Sequence, residues 1–330
     1  MKTLQQDLIN GVKNPMCEKC WSYEELGETS MRMTSTNRKS PEQIQKEIQE
    51  KKLKHLVIDS GNVCNLACRT CSPWSSSSLI KEFQAKSQWL NKKNWFPFHI
   101  KKTNLDYLIA EDYSQIEQIS VLGGEPFQNL DHLAVLETII SQGHADKCEL
   151  NYSTNATVSI SNKILAVLNK FKLVTIMLSI DAVGRPFEYI RTNGVWDVVT
   201  TNVDNLLQIS KKNPNFNIQA HPTISALNVL YLDELLQWYK NNQLEYSVVF
   251  CDGTPEYSFG IFNDQQKKLI VDQLVNSQFD LSSTVQHINS CKFEPADLAR
   301  FEQEIAFTKE YKGLDIKEYL PKLTRLLELS

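Results

Sequence analysis

The sequence predicts an α/β fold: a partial (β/α)6 barrel of the TIM type, with an N-terminal cysteine-containing segment and a helical C-terminal extension. Apolar runs of strand length recur at 54–60, 116–122, 148–153, 173–180, 216–223 and 245–250. Helix-like stretches near 76–86, 128–142, 160–170, 195–210 and 230–242 fall between them. Alternation of this kind gives a parallel sheet with right-handed crossovers. Six strands, rather than the eight of a closed barrel, leave it incomplete. The residues with most chemistry to offer also gather just past the strand ends, where such barrels carry their sites.

The elements follow in order. Residues 1–40 form a cysteine-bearing segment with Cys17 and Cys20, ending in a polar stretch from Ser35 to Ser40. Ser40-Pro41-Glu42-Gln43 reads as a helix start, with Ser40 as cap, Pro41 at the first helical position and Gln43 reaching back. The barrel is assigned to 41–250. Residues 87–113 interrupt its alternation, setting Trp89, Trp95, Phe96 and Phe98 among Lys92, Lys93, Lys101 and Lys102. Aromatics among lysines suit single-stranded nucleic acid. The acidic net charge favours instead an insertion that packs its aromatics on the barrel flank. From 251 to 330 the pattern is helical, near 264–278, 295–311 and 315–329.

The first strand (Lys-His-Leu-Val-Ile-Asp-Ser, 54–60) stops at Gly61-Asn62, and three cysteines follow within eight residues: Cys64, Cys68 and Cys71. Their i, i+4, i+7 spacing would also make a buried helical stripe. Pro73 argues for a loop, because the residue before a proline is pushed out of helical geometry. Three thiols on one loop form a metal or cluster ligand set, with zinc the rival to iron. An iron–sulfur cube normally takes four cysteines, so three leave one iron open to another ligand, as a catalytic zinc keeps an open position.

The later strands end in an ordered series. The second runs into Gly123-Gly124-Glu125-Pro126, the third into Ser153-Thr154-Asn155 and the fourth into Ser179-Ile180-Asp181. The fifth ends near His221 and Ile224, and the sixth at Cys251. Gly123 and Gly124 let backbone approach a ligand closely, and Glu125 offers a carboxylate to an ammonium. Arg191 is either a bidentate carboxylate anchor or a surface arginine. Asp181 either bonds a ribose or, the preferred reading, caps the segment that follows. His221 before Pro222 reads as a satisfied structural histidine.

With 35 basic and 39 acidic residues, the net charge of −4 gives no general pull toward nucleic acid or membrane. No apolar run is long enough to span a bilayer, and Met-Lys-Thr-Leu-Gln-Gln-Asp lacks a signal peptide's apolar block. Eight clustered cysteines then favour metal ligation in a reducing, cytoplasmic compartment over disulfides.

The triplet after strand one, Gly-Gly-Glu-Pro after strand two, and Leu178-Ser179-Ile180-Asp181 with the later Arg191 resemble the radical S-adenosylmethionine (SAM) enzymes over roughly residues 54–250. The resemblance implies a [4Fe–4S] cluster on Cys64, Cys68 and Cys71, whose open iron chelates the amino and carboxylate groups of SAM. It implies that the backbone at Gly123, Gly124 and Glu125 pairs with the methionine amino group. Ser179 and Arg191 match positions that hold the carboxylate or ribose, Thr154 lies near the same moiety, and Ile224 leans on the adenine. Thr70 departs from the pattern, since many members carry an aromatic residue before the third cysteine.

Asp7 to Cys17, with Cys20 and Trp21, and the tail Glu25, Gly27, Ser30 and Arg32 resemble the auxiliary-cluster region of SPASM and twitch radical SAM proteins. The stretch Phe307-Thr308 to Leu314-Asp315, then Pro321, is similar to twitch C-termini. The likeness implies a second [4Fe–4S] cluster on Cys17, Cys20, Cys251 and Cys291; a structural zinc on the same thiolates is the rival. Cys148 reads as buried and inert. The implied partners are a flavodoxin- or ferredoxin-type electron donor and a peptide or small-molecule substrate. The alternative from another class is a zinc-stabilised binding module contacting RNA, through the 87–102 insertion, or a protein.

Overall fold

The computed structural model describes Asp7, residues 12–25, Glu42, 53–90 and 98–328. The chain divides into two compact units, Met1–Leu53 and Lys54–Ser330. In the first, a 3-10 turn (Pro15–Cys17) leads into the helix Glu18–Glu25. Trp21 Nε1 donates to the Asn14 carbonyl at 3.1 Å and Asn14 Nδ2 to Asp7 at 2.7 Å, which fixes the turn carrying Cys17. The helix start expected at Ser40-Pro41-Gln43 lies outside the described residues, Glu42 apart.

The second unit is built on six parallel strands: β1 (His55–Asp59), β2 (Gln118–Leu122), β3 (Glu149–Thr154), β4 (Leu173–Leu178), β5 (Phe216–Ala220) and, beyond the short β6 (Thr223–Ile224), β7 (Glu245–Tyr246). A separate parallel pair joins β6 to β8 (Val249–Phe250). This is the mixed α/β, six-stranded partial barrel that the alternation predicts. Register rows explain why it folds. Ile58, Val121, Tyr152, Ile176 and Ile218 lie side by side across five strands and are all buried. Each contributes roughly 2 kcal/mol of burial. The adjacent row, on the opposite face, is Val57, Ser120, Asn151, Thr175 and Asn217. Parallel strands are usually apolar on both faces. Here one face is hydrophobic and the other polar and partly accessible, from Val57 at 63% exposure to Thr175 at 9%.

The structure shortens several expected elements for identifiable reasons. The fifth strand breaks at His221-Pro222, since proline has no N–H to give the ladder, and Val249 N instead donates to the Pro222 carbonyl. The first helix runs Leu79–Trp89 rather than from 76, because Ser76, Ser77 and Ser78 bond the cysteine loop. Asn263 and Gln266 form a capping box for the helix Asp264–Val275. The helix Pro295–Lys312 stops at Gly313, which is left-handed at φ 69°. The last expected helix splits into Ile316–Tyr319 and Pro321–Leu326 at Pro321. The helices Arg185–Ile190 and Ser282–Ser290 carry no clear periodicity in the sequence and were not expected.

In the 87–113 insertion, 91–97 lie outside the described residues, so the positions of Trp95 and Phe96 do too. Phe98 packs edge-on against Trp74 and Phe83 at 5.1 and 6.1 Å, and Trp89 lies 5.7 Å from Phe307 and bonds Glu310. These aromatics pack on the flank. No described helix is long and apolar enough to cross a membrane.

One buried histidine ties a loop to the sheet. His132 Nδ1 lies 3.0 Å from the Asn129 carbonyl and Nε2 lies 2.7 Å from the Tyr152 hydroxyl. A carbonyl only accepts, so Nδ1 carries the proton and Nε2 accepts from Tyr152. Burial pulls the imidazole down to about 4 from 6.5. A depressed folded value means full stability above pH 6.5 and progressive loss as pH falls toward 4. Between pH 7 and 5, His132 accounts for about 2 kcal/mol of lost stability. Urea unfolding of His132→Gln should therefore show a loss smaller by that amount over the same interval; equal losses in both proteins would remove His132 from this account.

Candidate active site at the strand ends

The cysteine loop leaves β1 at Gly61 (φ 99°), whose N–H donates to Asp59. Asn62 braces it from within: Nδ2 donates to the Pro73 and His99 carbonyls and Oδ1 accepts from Lys101 N. Ser76 and Ser78 donate to the carbonyls of Leu66 and Cys64 at 2.5 and 2.8 Å, and Ser77 Oγ accepts from Cys64 N. Ala67 N and Arg69 N donate to the carbonyls of Thr192 and Ile190. The loop is held by polar bonds on both sides, so its shape does not depend on a helix.

The Gly123-Gly124 turn runs against this loop. Gly124 N donates to the Gly61 carbonyl at 2.7 Å and Glu125 N to the Val63 carbonyl at 2.8 Å. Gly123 sits at φ 126°, and a Cβ on Gly124 would lie 2.3 Å from the Val63 carbonyl oxygen. The glycines thus serve close packing of one backbone on another. The Glu125 carboxylate is fully buried and committed: Oε1 accepts from the Thr154 hydroxyl and Phe127 N, Oε2 from Asn155 N. Its oxygens thus join the ends of β2 and β3, which takes up most of the capacity that the sequence offers to a ligand ammonium. Burial pushes its carboxyl upward against these donors.

Arg191 is no surface residue. Its Nε donates to Asp181 Oδ2 at 2.6 Å and its Nη1 points at Cys68 Sγ at 3.8 Å, leaving 12% of the side chain accessible. Asp181 Oδ1 accepts from Thr223 N at 2.8 Å, so this carboxylate ties Arg191 to β6 rather than capping the segment that follows. Asn155 Nδ2 points at Cys64 Sγ, also at 3.8 Å. Burial pushes the Cys64 thiol up to about 11 and Cys71 to about 12, and raises Cys68 as well, with the neighbouring cysteines adding to the first two. Left alone these are neutral thiols. A cation that displaces their protons turns them into ligands, and Arg191 and Asn155 already offer N–H groups to two of the sulfurs. The donor set fits an iron–sulfur group. Among the described residues no three His, Cys, Asp or Glu converge closely enough for one metal ion; a cube needs no such convergence, since each thiolate takes its own iron.

A profile of the radical SAM superfamily matches residues 58–225. The chain belongs to this superfamily. As a radical SAM enzyme it uses a [4Fe–4S] cluster and SAM, which sets aside the zinc-stabilised binding module. Similar solved structures include native anSMEcpe with bound AdoMet, at 15% identity and TM-score 0.47 over 80% of this chain and 68% of that one. Native anSMEcpe with bound AdoMet and Cp18Cys peptide matches at 14% and 0.43 over 71% and 62%. Streptococcus suis SuiB bound to S-adenosylmethionine matches at 14% and 0.40 over 93% and 63%. The chain spans less than two thirds of the latter two. No curated protein matches.

The remaining candidates of this radical SAM chain divide by location. Thr154 lies at the end of β3, Ser179 just past β4 and Ile224 on β6. The Ser179 N–H donates to the Thr154 carbonyl, while its hydroxyl makes no hydrogen bond among the described residues. Ile224 is 2% exposed. His221 Nδ1 lies 2.9 Å from the Ser247 hydroxyl. Cys148 is buried. Cys251 is buried with Sγ 2.8 Å from the Thr254 hydroxyl, and Cys291 follows the helix Ser282–Ser290. Cys17 and Cys20 lie in the first unit on the turn and helix described above. Sequence reasoning missed Asn155 as a sulfur partner and the serine bracket. The signals were present as Asn155-Ala156-Thr157, where Ala156 adopts φ 59°, and as the run Ser75–Ser78 after the triplet.

Proposed function

We propose that this radical SAM enzyme binds its cluster through Cys64, Cys68 and Cys71, binds SAM across the ends of β2 to β6, and acts on a polar substrate, a peptide or small metabolite, admitted along the accessible face of the sheet. The observation that carries this reading is the braced cysteine loop, with Arg191 and Asn155 each directing an N–H at one of its sulfurs. In radical SAM enzymes the reduced cluster and SAM together supply a 5′-deoxyadenosyl radical that removes hydrogen from a substrate carbon.

The chain's own residues then have distinct tasks. Arg191, locked by Asp181, presents a fixed guanidinium edge to a carboxylate, a task for which arginine's planar fork is suited. With the Glu125 carboxylate committed elsewhere, the backbone of Gly123–Glu125 takes the ammonium. Ser179 offers a free hydroxyl, Thr154 keeps the turn in place, and Ile224 provides an apolar surface for the base. Ser120, Asn151, Thr175 and Asn217 supply neutral hydrogen-bonding groups that suit amides or hydroxyls better than a highly charged substrate. The electron comes from a flavodoxin- or ferredoxin-type donor.

Anaerobic reconstitution with iron and sulfide, then dithionite and SAM, tests the assignment. Wild type should release 5′-deoxyadenosine, whereas Cys64→Ala, Cys68→Ala and Cys71→Ala should each lose it; a variant that releases as much as wild type would refute the ligand set. We further infer from the sequence resemblance a second cluster on Cys17, Cys20, Cys251 and Cys291. About eight irons per chain support it, and about four count against it.

A further inference from the structure

We propose that Arg69 is a positioning residue which, with Glu82 and Lys312, clamps the cysteine loop to the C-terminal helix and sets the charge behind Cys68 and Cys71; this rests on those cysteines holding the cluster. Arg69 lies between the second and third cysteines, its side chain only 3% exposed. Its Nη1 donates to Glu82 Oε1 at 2.6 Å and its Nη2 to Glu82 Oε2 at 3.1 Å, a bidentate pair. Nη2 also donates to the Ala67 carbonyl and Nη1 to the Thr308 hydroxyl. Lys312 Nζ completes the group, 3.0 Å from Glu82 Oε2. Arg69, Glu82, Cys68 and Cys71 all line one cavity of about 250 Å³.

Stability alone does not account for this arrangement. Buried ion pairs repay their desolvation poorly, and well-packed apolar side chains serve as well or better. Arg69 Nε is moreover buried without a hydrogen-bond partner. Two features are served by the charges and not by apolar packing. Thr308 and Lys312 belong to the helix Pro295–Lys312, so the network makes the cysteine loop and a distant part of the chain order together. Arg69, Glu82 and Lys312 also set charge beside the loop, where Lys86, Glu256 and Glu304 line the same cavity as Arg69 and Glu82, and nearby charge is one of the factors that set a cluster's reduction potential.

The signs of the variants follow. Reduction adds negative charge, so Arg69→Met and Lys312→Met should shift the cluster's one-electron equilibrium toward the oxidised form, by about tenfold or 59 mV. Glu82→Gln should shift it the opposite way. The measurement is an anaerobic redox titration of the reconstituted full chain followed by electron paramagnetic resonance. A purely structural role would not give opposite signs for Glu82→Gln and Lys312→Met. In the iron-free chain, hydrogen exchange across 64–71 should accelerate in Lys312→Met and not in Lys309→Met on the same helix. Should Glu82→Gln fail to fold, Lys312→Met decides: unchanged potential and unchanged exchange overturn the proposal. Loss of the ligand assignment shows separately, as Cys68→Ala and Cys71→Ala each retaining as much iron as wild type.

Discussion

Arg191→Met is expected to abolish SAM binding and to destabilise the fold by about 3–5 kcal/mol, the usual result of stranding one partner of a buried ion pair. Asp181 has a side chain 1% exposed, and its two oxygens accept from Arg191 and from Thr223 N. Removing the guanidinium leaves a carboxylate charge in the interior with a single donor. Urea unfolding and calorimetric titration with SAM separate the two effects. The double variant Arg191→Met/Asp181→Asn should recover most of the stability, because no charge is stranded, yet still fail to bind SAM. Recovery of binding in the double variant would show that Arg191 only neutralises Asp181.

Gly124→Ala is the second large effect. Its Cβ would meet Val63 O at 2.3 Å, Val63 C at 2.6 Å and Asn62 C at 2.8 Å, all backbone atoms of the segment leading into Cys64. Backbone cannot swing aside as a flexible side chain can, so the loop must shift. The expected loss is about 3 kcal/mol or more, with a fall in iron retained after reconstitution. Gly253→Ala is the natural comparison, since no atom lies within 4 Å of its added Cβ. Its stability should stay within about 0.5 kcal/mol of wild type. Similar melting of the two variants would mean that the turn at Gly124 yields more readily than its packing implies.

Strand periodicity and the order of residues past the strand ends made the sheet and the site legible in the sequence. The triplet and the glycine pair follow β1 and β2, in the order their positions along the chain predicted, whereas the sequence left Arg191 open between an anchor and a surface residue. Roles that depend on a third partner were less legible. Glu125 looks available in the sequence because nothing there reveals that Thr154 and Asn155 converge on it. Asp181 reads as a cap until Thr223 and Arg191 come within reach from other elements. Ser76 to Ser78 read as a helix start because their own propensity competes with bonds to a loop above them. Arg69 gave no signal at all, since its partner Glu82 is one acidic residue among 39.

The two faces of the sheet have a consequence for how such a chain diversifies. Ile58, Val121, Tyr152, Ile176 and Ile218 hold the scaffold together from one side, while Ser120, Asn151 and Asn217 on the other contribute little to its cohesion. If substrate runs along this face, as proposed above, exchanging the latter group should reshape what the enzyme selects without loosening what keeps it folded. Libraries confined to those positions should therefore be rich in intact proteins of altered preference.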